Sequence, residues 1–142
     1  MTAAGRGPIL VAMKSKLLLQ IAVIVGSVVP IGAGAAGVVL GPVFVGGAAS
    51  NAPDLDGHFR YLSGLLLGIG LAYVSAVPGI ERRRGRFMLL GAIVFLGGLS
   101  RLWSVLSIGV APSISMCFAL TMELAVTPLL TLWQFKASAT DR

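Results

Sequence analysis

Two ionisable side chains of opposite sign stand inside long apolar runs of this sequence. Arg101 lies in the run from Phe87 to Ile108, and Glu123 in the run from Ile114 to Phe135. An ion at the centre of a membrane-spanning helix costs about 2.5–3.5 kcal/mol on insertion scales, so each of the two needs a partner or a task. At the helical rise, Arg101 lies roughly 10 Å from Ile108 and Glu123 roughly 13 Å from Ile114, which is a similar depth. Consecutive helices joined by a short loop are usually neighbours. The spacing therefore predicts an Arg101–Glu123 ion pair, with the guanidinium meeting the carboxylate through two parallel hydrogen bonds. Such a pair serves either as a register lock or as the centre of a binding or proton-responsive site.

Further polar residues extend this candidate cluster. Glu123, Thr127, Thr131 and Gln134 share one helical face, and Leu, Val and Phe occupy the opposite positions. A polar stripe of this kind faces protein or water rather than lipid, as a hydrogen-bonded seam or as a hydrated groove. Pro128 interrupts the same helix and leaves the Leu124 carbonyl without its amide partner, for a threonine hydroxyl or water to satisfy. Arg60 opens a second apolar run, within reach of Asp54, Asp56, Glu123 or a lipid phosphate. Gly64, Gly68 and Ala72 continue its face as a small-residue packing stripe. His58, Arg60, Arg101, Glu123 and Thr127 are thus the candidate binding residues.

No nucleophile–base set emerges, so no catalytic residue is expected. His58 is the only histidine and reads as an interfacial side chain; with one histidine, bis-histidine haem ligation within the chain is impossible and a metal centre is not expected. Nucleotide-binding glycine patterns and a nucleophile elbow are absent from the sequence. No cofactor is expected. Cys117, the single cysteine, cannot form an intrachain disulfide and reads as a lipid-facing or packing residue.

The elements that must position these residues follow from composition. Of 142 residues, 56% are hydrophobic and 11% are charged, against about 25% charged in a soluble domain; mean hydropathy is +0.94. So few charges cannot cover a folded surface in water, and a chain this apolar is not disordered. Four runs each have the length of a membrane-spanning helix: 17–39, 59–77, 87–108 and 114–135. Strands are a poor fit, because polar and apolar residues do not alternate. The expected fold is all-α, a single domain built as a four-transmembrane-helix bundle, with residues 1–13 as a tail outside it.

The charges set the orientation. Arg6, Lys14, Lys16, Arg82, Arg83, Arg84, Arg86, Lys136 and Arg142 fall on one side of four spans, whereas Asp54 and Asp56 fall on the other. The positive-inside rule places both termini in the cytoplasm. These positions also account for the net charge of +6 as a topology signal rather than a nucleic-acid surface. Tyr61, Trp103 and Trp133 read as interfacial anchors. The glycine-rich stretch Gly37–Ser50 reads as a loop or short helix at the outer interface, with a re-entrant segment as the alternative. The first run also has the outline of a signal peptide, with Lys14 and Lys16 before it and Ala33-Gly34-Ala35 as a cleavage site; its length, Gln20 and Pro30 favour a retained span.

The runs HFRYLSGLLLGIGLAYVSAVPGIE (His58–Glu81), Arg86-Phe87, GGLSRL (Gly97–Leu102) and ELAVTPLLTLWQ (Glu123–Gln134) closely resemble the bacterial membrane family known as domain of unknown function 4345, over about 17–134. The resemblance implies a small four-span protein of the bacterial inner membrane and implies no activity. Its motif positions include Arg60, Arg101 and Glu123. A looser likeness connects the chain to DoxX-type four-helix membrane proteins, some of which accompany quinone-linked oxidoreductases. That is an analogy of fold.

The expected role is a non-enzymatic accessory or interaction component. Its partners are the lipid bilayer and a membrane protein or a second copy of the chain, with no nucleic acid. The alternatives are a small transporter or proton-linked carrier built on the Arg/Glu cluster, and an enzyme acting on lipid or quinone with Glu123 or His58 as its acid–base group.

Overall fold

The structure, a computed structural model, describes residues 6–46, 52–109 and 111–140. Five α-helices account for most of the described residues, among which there is no strand. They are α1 (Arg6–Leu40), α2 (Pro53–Ala76), α3 (Arg84–Ile108), α4 (Ile114–Thr121) and α5 (Thr127–Thr140). Short 3₁₀ turns follow α1 at Gly41–Val45 and precede α3 at Ile80–Arg82, and a π-helical turn, Met122–Val126, joins α4 to α5. Backbone dihedrals stay in the right-handed helical region through this junction, so α4, the π turn and α5 make one continuous crossing. Four helices are long and apolar enough to cross a membrane: Met13–Val45, Pro53–Ala76, Arg84–Ile108 and Ile114–Ser138.

The boundaries refine the expected spans. α1 begins at Arg6, so Arg6–Met13 is helical and leads into the candidate span that starts at Met13. α2 begins at Pro53, whose fixed φ suits a first helical position. Asp54 and Asp56 then lie in the first turn, where backbone amides favour negative charge. In the Gly37–Ser50 stretch, Gly37–Leu40 continue α1 and Gly41–Val45 form the short helix, so its first residues are span rather than loop; residues 47–50 lie outside the described residues, as does Arg142.

Large aliphatic side chains cover the helix exteriors. Val25, Val28, Leu65, Leu96, Leu106 and Leu129 are all more than 45% exposed. This is the surface lipid requires, since in a bilayer the helix need not bury its apolar side chains against protein.

The contacts divide the chain into two units: Ile21–Val77, and Met1–Gln20 together with Pro78–Arg142. In the first, α1 and α2 pack closely through glycine. A methyl group on Gly34 would lie 2.5 Å from the Leu67 backbone nitrogen, and one on Gly70 2.7 Å from Ile31 Cγ1. Gly37 meets the Ser63 side chain in the same way. The face of α2 in this contact is Ser63, Leu67 and Gly70, a correction to the expected Gly64–Gly68–Ala72 stripe. Gly68 has open space where a Cβ would stand, and Gly64 makes only an ordinary contact with Val38.

In the second unit α3 packs along α5 and the π turn. Here too glycine permits the approach: a methyl on Gly91 would lie 2.5 Å from Thr131 Oγ1. Among the described residues of this unit, Leu19, Ile80, Phe87 and Leu90 are the buried large apolar side chains. The connection from α3 to α4 is short because Gly109 ends α3 at φ 67°, returning its N–H to the Val105 carbonyl. Ser113 then starts α4, its hydroxyl accepting the Met116 N–H.

Candidate functional site

Arg101 and Glu123 meet. Arg101 Nε donates to Glu123 Oε2 at 3.0 Å and Nη2 to Oε1 at 3.1 Å. Both carboxylate oxygens are therefore engaged by one guanidinium, the two-pronged arrangement that gives such pairs their directional strength. The Glu123 side chain is 17% exposed and that of Arg101 38%. The remaining guanidinium nitrogen, Nη1, points to Met116 Sδ at 3.7 Å, a weak acceptor.

Three local features bring the charges together. Short loop geometry makes α3 and the last crossing antiparallel neighbours. Gly98, one turn before Arg101, clears the space that the Glu123 Cβ occupies. The π turn Met122–Val126 carries Glu123 itself, and its cause lies just beyond it. Pro128 has no amide hydrogen and its ring crowds the preceding turn, and the backbone widens there to an i→i−5 pattern. Both the amide and the hydroxyl of Thr127 donate to the Met122 carbonyl. The threonine thus serves Met122, not Leu124 as Pro128's position alone suggested.

The rest of the stripe divides by depth. Thr131 donates its hydroxyl to the Thr127 carbonyl and lies against Gly91. Gln134 is fully buried; its Nε2 donates to the Ile80 carbonyl at 2.7 Å and to Ser138 Oγ at 2.9 Å. The stripe is turned toward protein along this length, and Gln134 ties α5 to the turn before α3.

A second ionic contact lies at that same end and carried no local sequence signal. Lys16 Nζ donates to Glu81 Oε1 at 2.9 Å across 65 residues of chain. Trp133 Nε1 donates to Ser15 Oγ at 3.2 Å, which fixes the indole between α1 and α5. The Arg84 guanidinium stacks 3.3 Å above the Phe135 ring centroid. Glu81 is held below its ordinary value of 4.5, first by the hydrogen bond from Lys16 and then by a backbone hydrogen bond.

In the unit Ile21–Val77, Arg60 has a different role from that of Arg101. Its Nε donates to Asp56 Oδ2 at 2.7 Å, while Nη1 donates to the carbonyls of Val38 and Val39 at 2.6 and 2.9 Å. Carbonyls in the last turn of a helix lack intrahelical partners. Arg60 supplies them, and so closes the end of α1 from one turn of α2. Gly41, at φ 65°, passes directly beside this guanidinium. Of the partners considered for Arg60, Asp56 is the one engaged. His58 is exposed, with its ring tilted 6.4 Å from that of Tyr61. Trp103 is 73% exposed and Tyr61 62%, whereas Trp133 is partly buried. Cys117 is exposed and forms no disulfide.

No curated protein and no solved structure matches this chain. One family model does, and it covers the α1–α2 contact, Arg60, the Arg101–Glu123 pair and the stripe as far as Gln134. Matched over residues 18–134, the chain belongs to the family described as domain of unknown function (DUF4345).

Proposed function

We propose that the protein is a non-catalytic component of the bacterial inner membrane, with both termini in the cytoplasm, that acts by holding a membrane-protein partner or a second copy of itself. The observation that carries this reading is the two-pronged Arg101–Glu123 pair. A carrier's carboxyl group must take up and release a proton or a solute at each cycle. A carboxylate with both oxygens on an adjacent guanidinium is suited instead to fixing one helix on another. The family resemblance supports the bacterial inner membrane. The gathering of Lys14, Lys16, Arg82, Arg83, Arg84 and Arg86 at the opposite helix ends from Asp54 and Asp56 supports the orientation.

The test is reconstitution of the purified protein into vesicles carrying an internal pH dye, alongside affinity capture of the tagged protein from crosslinked native membranes. The expected result is no proton flux above empty vesicles and a stoichiometric membrane partner or second copy in the capture. Flux that disappears in Glu123→Gln would replace this reading with a proton-linked carrier. Recovery of the monomeric chain alone would also end it.

A further inference from the structure

The Arg101 guanidinium carries more donors than its partners use. A guanidinium has five N–H groups. Glu123 takes one from Nε and one from Nη2, and Met116 Sδ takes one from Nη1 at 3.7 Å. The other two meet no acceptor among the described residues. We propose that these spare donors hold the acyl-ester carbonyl of a membrane glycerophospholipid.

Depth selects the layer of the bilayer. α3 has 25 residues, roughly 37 Å at the helical rise, against a hydrocarbon core of about 30 Å. Centred on the bilayer, it overhangs by roughly 4 Å at each face, which leaves the Arg101 Cα roughly 7 Å inside the boundary on the Ile108 side. The guanidinium is turned toward that boundary. Met116 precedes Glu123 by seven residues, roughly 10 Å nearer the start of the last crossing, and the one guanidinium touches both. Trp103, two residues beyond Arg101, is 73% exposed, as suits an aromatic side chain at the interface. Ester carbonyls stand at this level, where the hydrocarbon core gives way to the headgroups.

Charge selects the acceptor. The Arg101 and Glu123 charges cancel, so a phosphate drawn to the pair would bring an uncompensated negative charge into a low-dielectric site. A neutral oxygen satisfies the N–H groups without that cost. Water is scarce below the boundary, and a polar hydrogen left unmatched there is expensive. The Met116 thioether is a weak acceptor and no rival to a carbonyl. The Arg101 side chain, 38% exposed, is open to an approaching lipid, whereas Glu123, at 17%, is the enclosed member of the pair. The inference requires a bilayer around the chain. It goes beyond the proposed scaffold role, because it holds with or without a protein partner and for either direction of insertion.

The carbonyl can be deleted from the lipid while the phosphate stays. Purified protein in an alkyl maltoside, a detergent with neither carbonyl nor phosphate, is titrated with diacyl phosphatidylcholine or with the dialkyl ether lipid of the same chain length. Circular dichroism follows the thermal unfolding midpoint. Its rise is expected to half-saturate at an about tenfold lower fraction of the diacyl lipid, the size of one hydrogen bond to a charged donor. Arg101→Leu with Glu123→Leu removes the donors without leaving an ion, and should bring the two lipids to parity. Met116→Gln keeps the pair and places an amide oxygen beside Nη1, so it should reduce the preference by substituting for the ester from within. Equal half-saturation by both lipids in the parent would overturn the proposal and assign any binding to the phosphate or the chains. So would a full preference retained by either variant, because the carbonyl would then be held elsewhere.

Discussion

Gly98 of α3 faces the Cβ of Glu123, and a methyl group on Gly98 would lie 2.8 Å from that atom and 2.8 Å from Leu124 Cδ2. The Glu123 Cβ is fixed to the backbone, so it cannot swing aside as a side-chain tip can. Any side chain at position 98 must push the last crossing away from α3 and draw the carboxylate off Arg101. Gly97, its neighbour in sequence, has open space where a Cβ would stand. Gly98→Ala is expected to destabilise by about 1–3 kcal/mol, whereas Gly97→Ala gains up to about 1 kcal/mol from the better helix former. Thermal unfolding in detergent, followed by circular dichroism, measures both. Shifts of the same sign would show that the close approach at Gly98 does not exist.

Breaking the pair itself should be more costly than removing it. Glu123→Leu leaves the Arg101 charge with the weak acceptor Met116 Sδ as its side-chain partner among the described residues. The loss of one member of a fully buried pair costs about 3–5 kcal/mol; with Arg101 38% exposed, about 2–3 kcal/mol is expected. Replacing both residues, as Arg101→Leu with Glu123→Leu, removes the uncompensated ion and should recover most of that loss. A double-mutant cycle on unfolding midpoints checks this. A double variant as unstable as Glu123→Leu would mean that the pair stabilises the fold beyond mutual compensation.

What the sequence reveals depends on how local the signal is. Arg101 and Glu123 were legible because each is an isolated charge in an apolar run, and helical rise alone converts residue number to depth. The four crossings were legible for the same reason, since run length maps directly onto bilayer thickness. The α1–α2 contact was not. Gly64, Gly68 and Ala72 have the spacing of a packing stripe, yet only one of two facing backbones needs to be bare for a close approach. Gly34 and Gly37 supply it from α1, so α2 presents Ser63 and Leu67. The Lys16–Glu81 and Gln134–Ile80 contacts join residues 65 and 54 apart, and no periodicity encodes such a pairing. Pro128 announced a disturbance in the last crossing; that it takes the form of a π turn under Glu123 depends on α3 being there to receive the carboxylate.

Arg60 closes the end of α1 by three separate hydrogen-bonding directions, and Gly41 lies within its reach. A Cβ at position 41 would stand 2.7 Å from both Arg60 Nη2 and Asp56 Oδ1, at a φ of 65° that L side chains disfavour. Gly41→Ala is expected to cost about 1–2 kcal/mol for the backbone alone and more through displacement of the guanidinium. Arg60→Lys should destabilise as well, because a single ammonium cannot reproduce the fork that spans Asp56 and the Val38 and Val39 carbonyls. Hydrogen exchange of the amides from Val38 to Val45 measures the effect locally. Unchanged protection there in both variants would show that Arg60 does not hold this turn.

Glu81 makes the pH dependence of the fold directional. The hydrogen bond from Lys16, aided by a backbone hydrogen bond, holds its carboxyl below the ordinary value of 4.5. A depressed pKa in the folded state means that the unfolded chain binds the proton more readily. The stabilisation is therefore complete above pH 4.5 and is lost as the pH falls through the lower, folded-state value. Glu81→Gln cannot lose what it does not have. The unfolding midpoint of the parent should exceed that of Glu81→Gln by a constant margin at neutral pH, and the margin should shrink steadily as the pH is lowered past 4.5. Subtracting the two curves cancels the titration of every other carboxylate, so the residual slope belongs to Glu81. Lys16→Met should abolish most of that slope while leaving Glu81 in place, because it removes the first cause of the depressed pKa. A margin that is flat across the acid range, or that grows as acid is added, would mean that Lys16 and Glu81 are not paired in the folded protein.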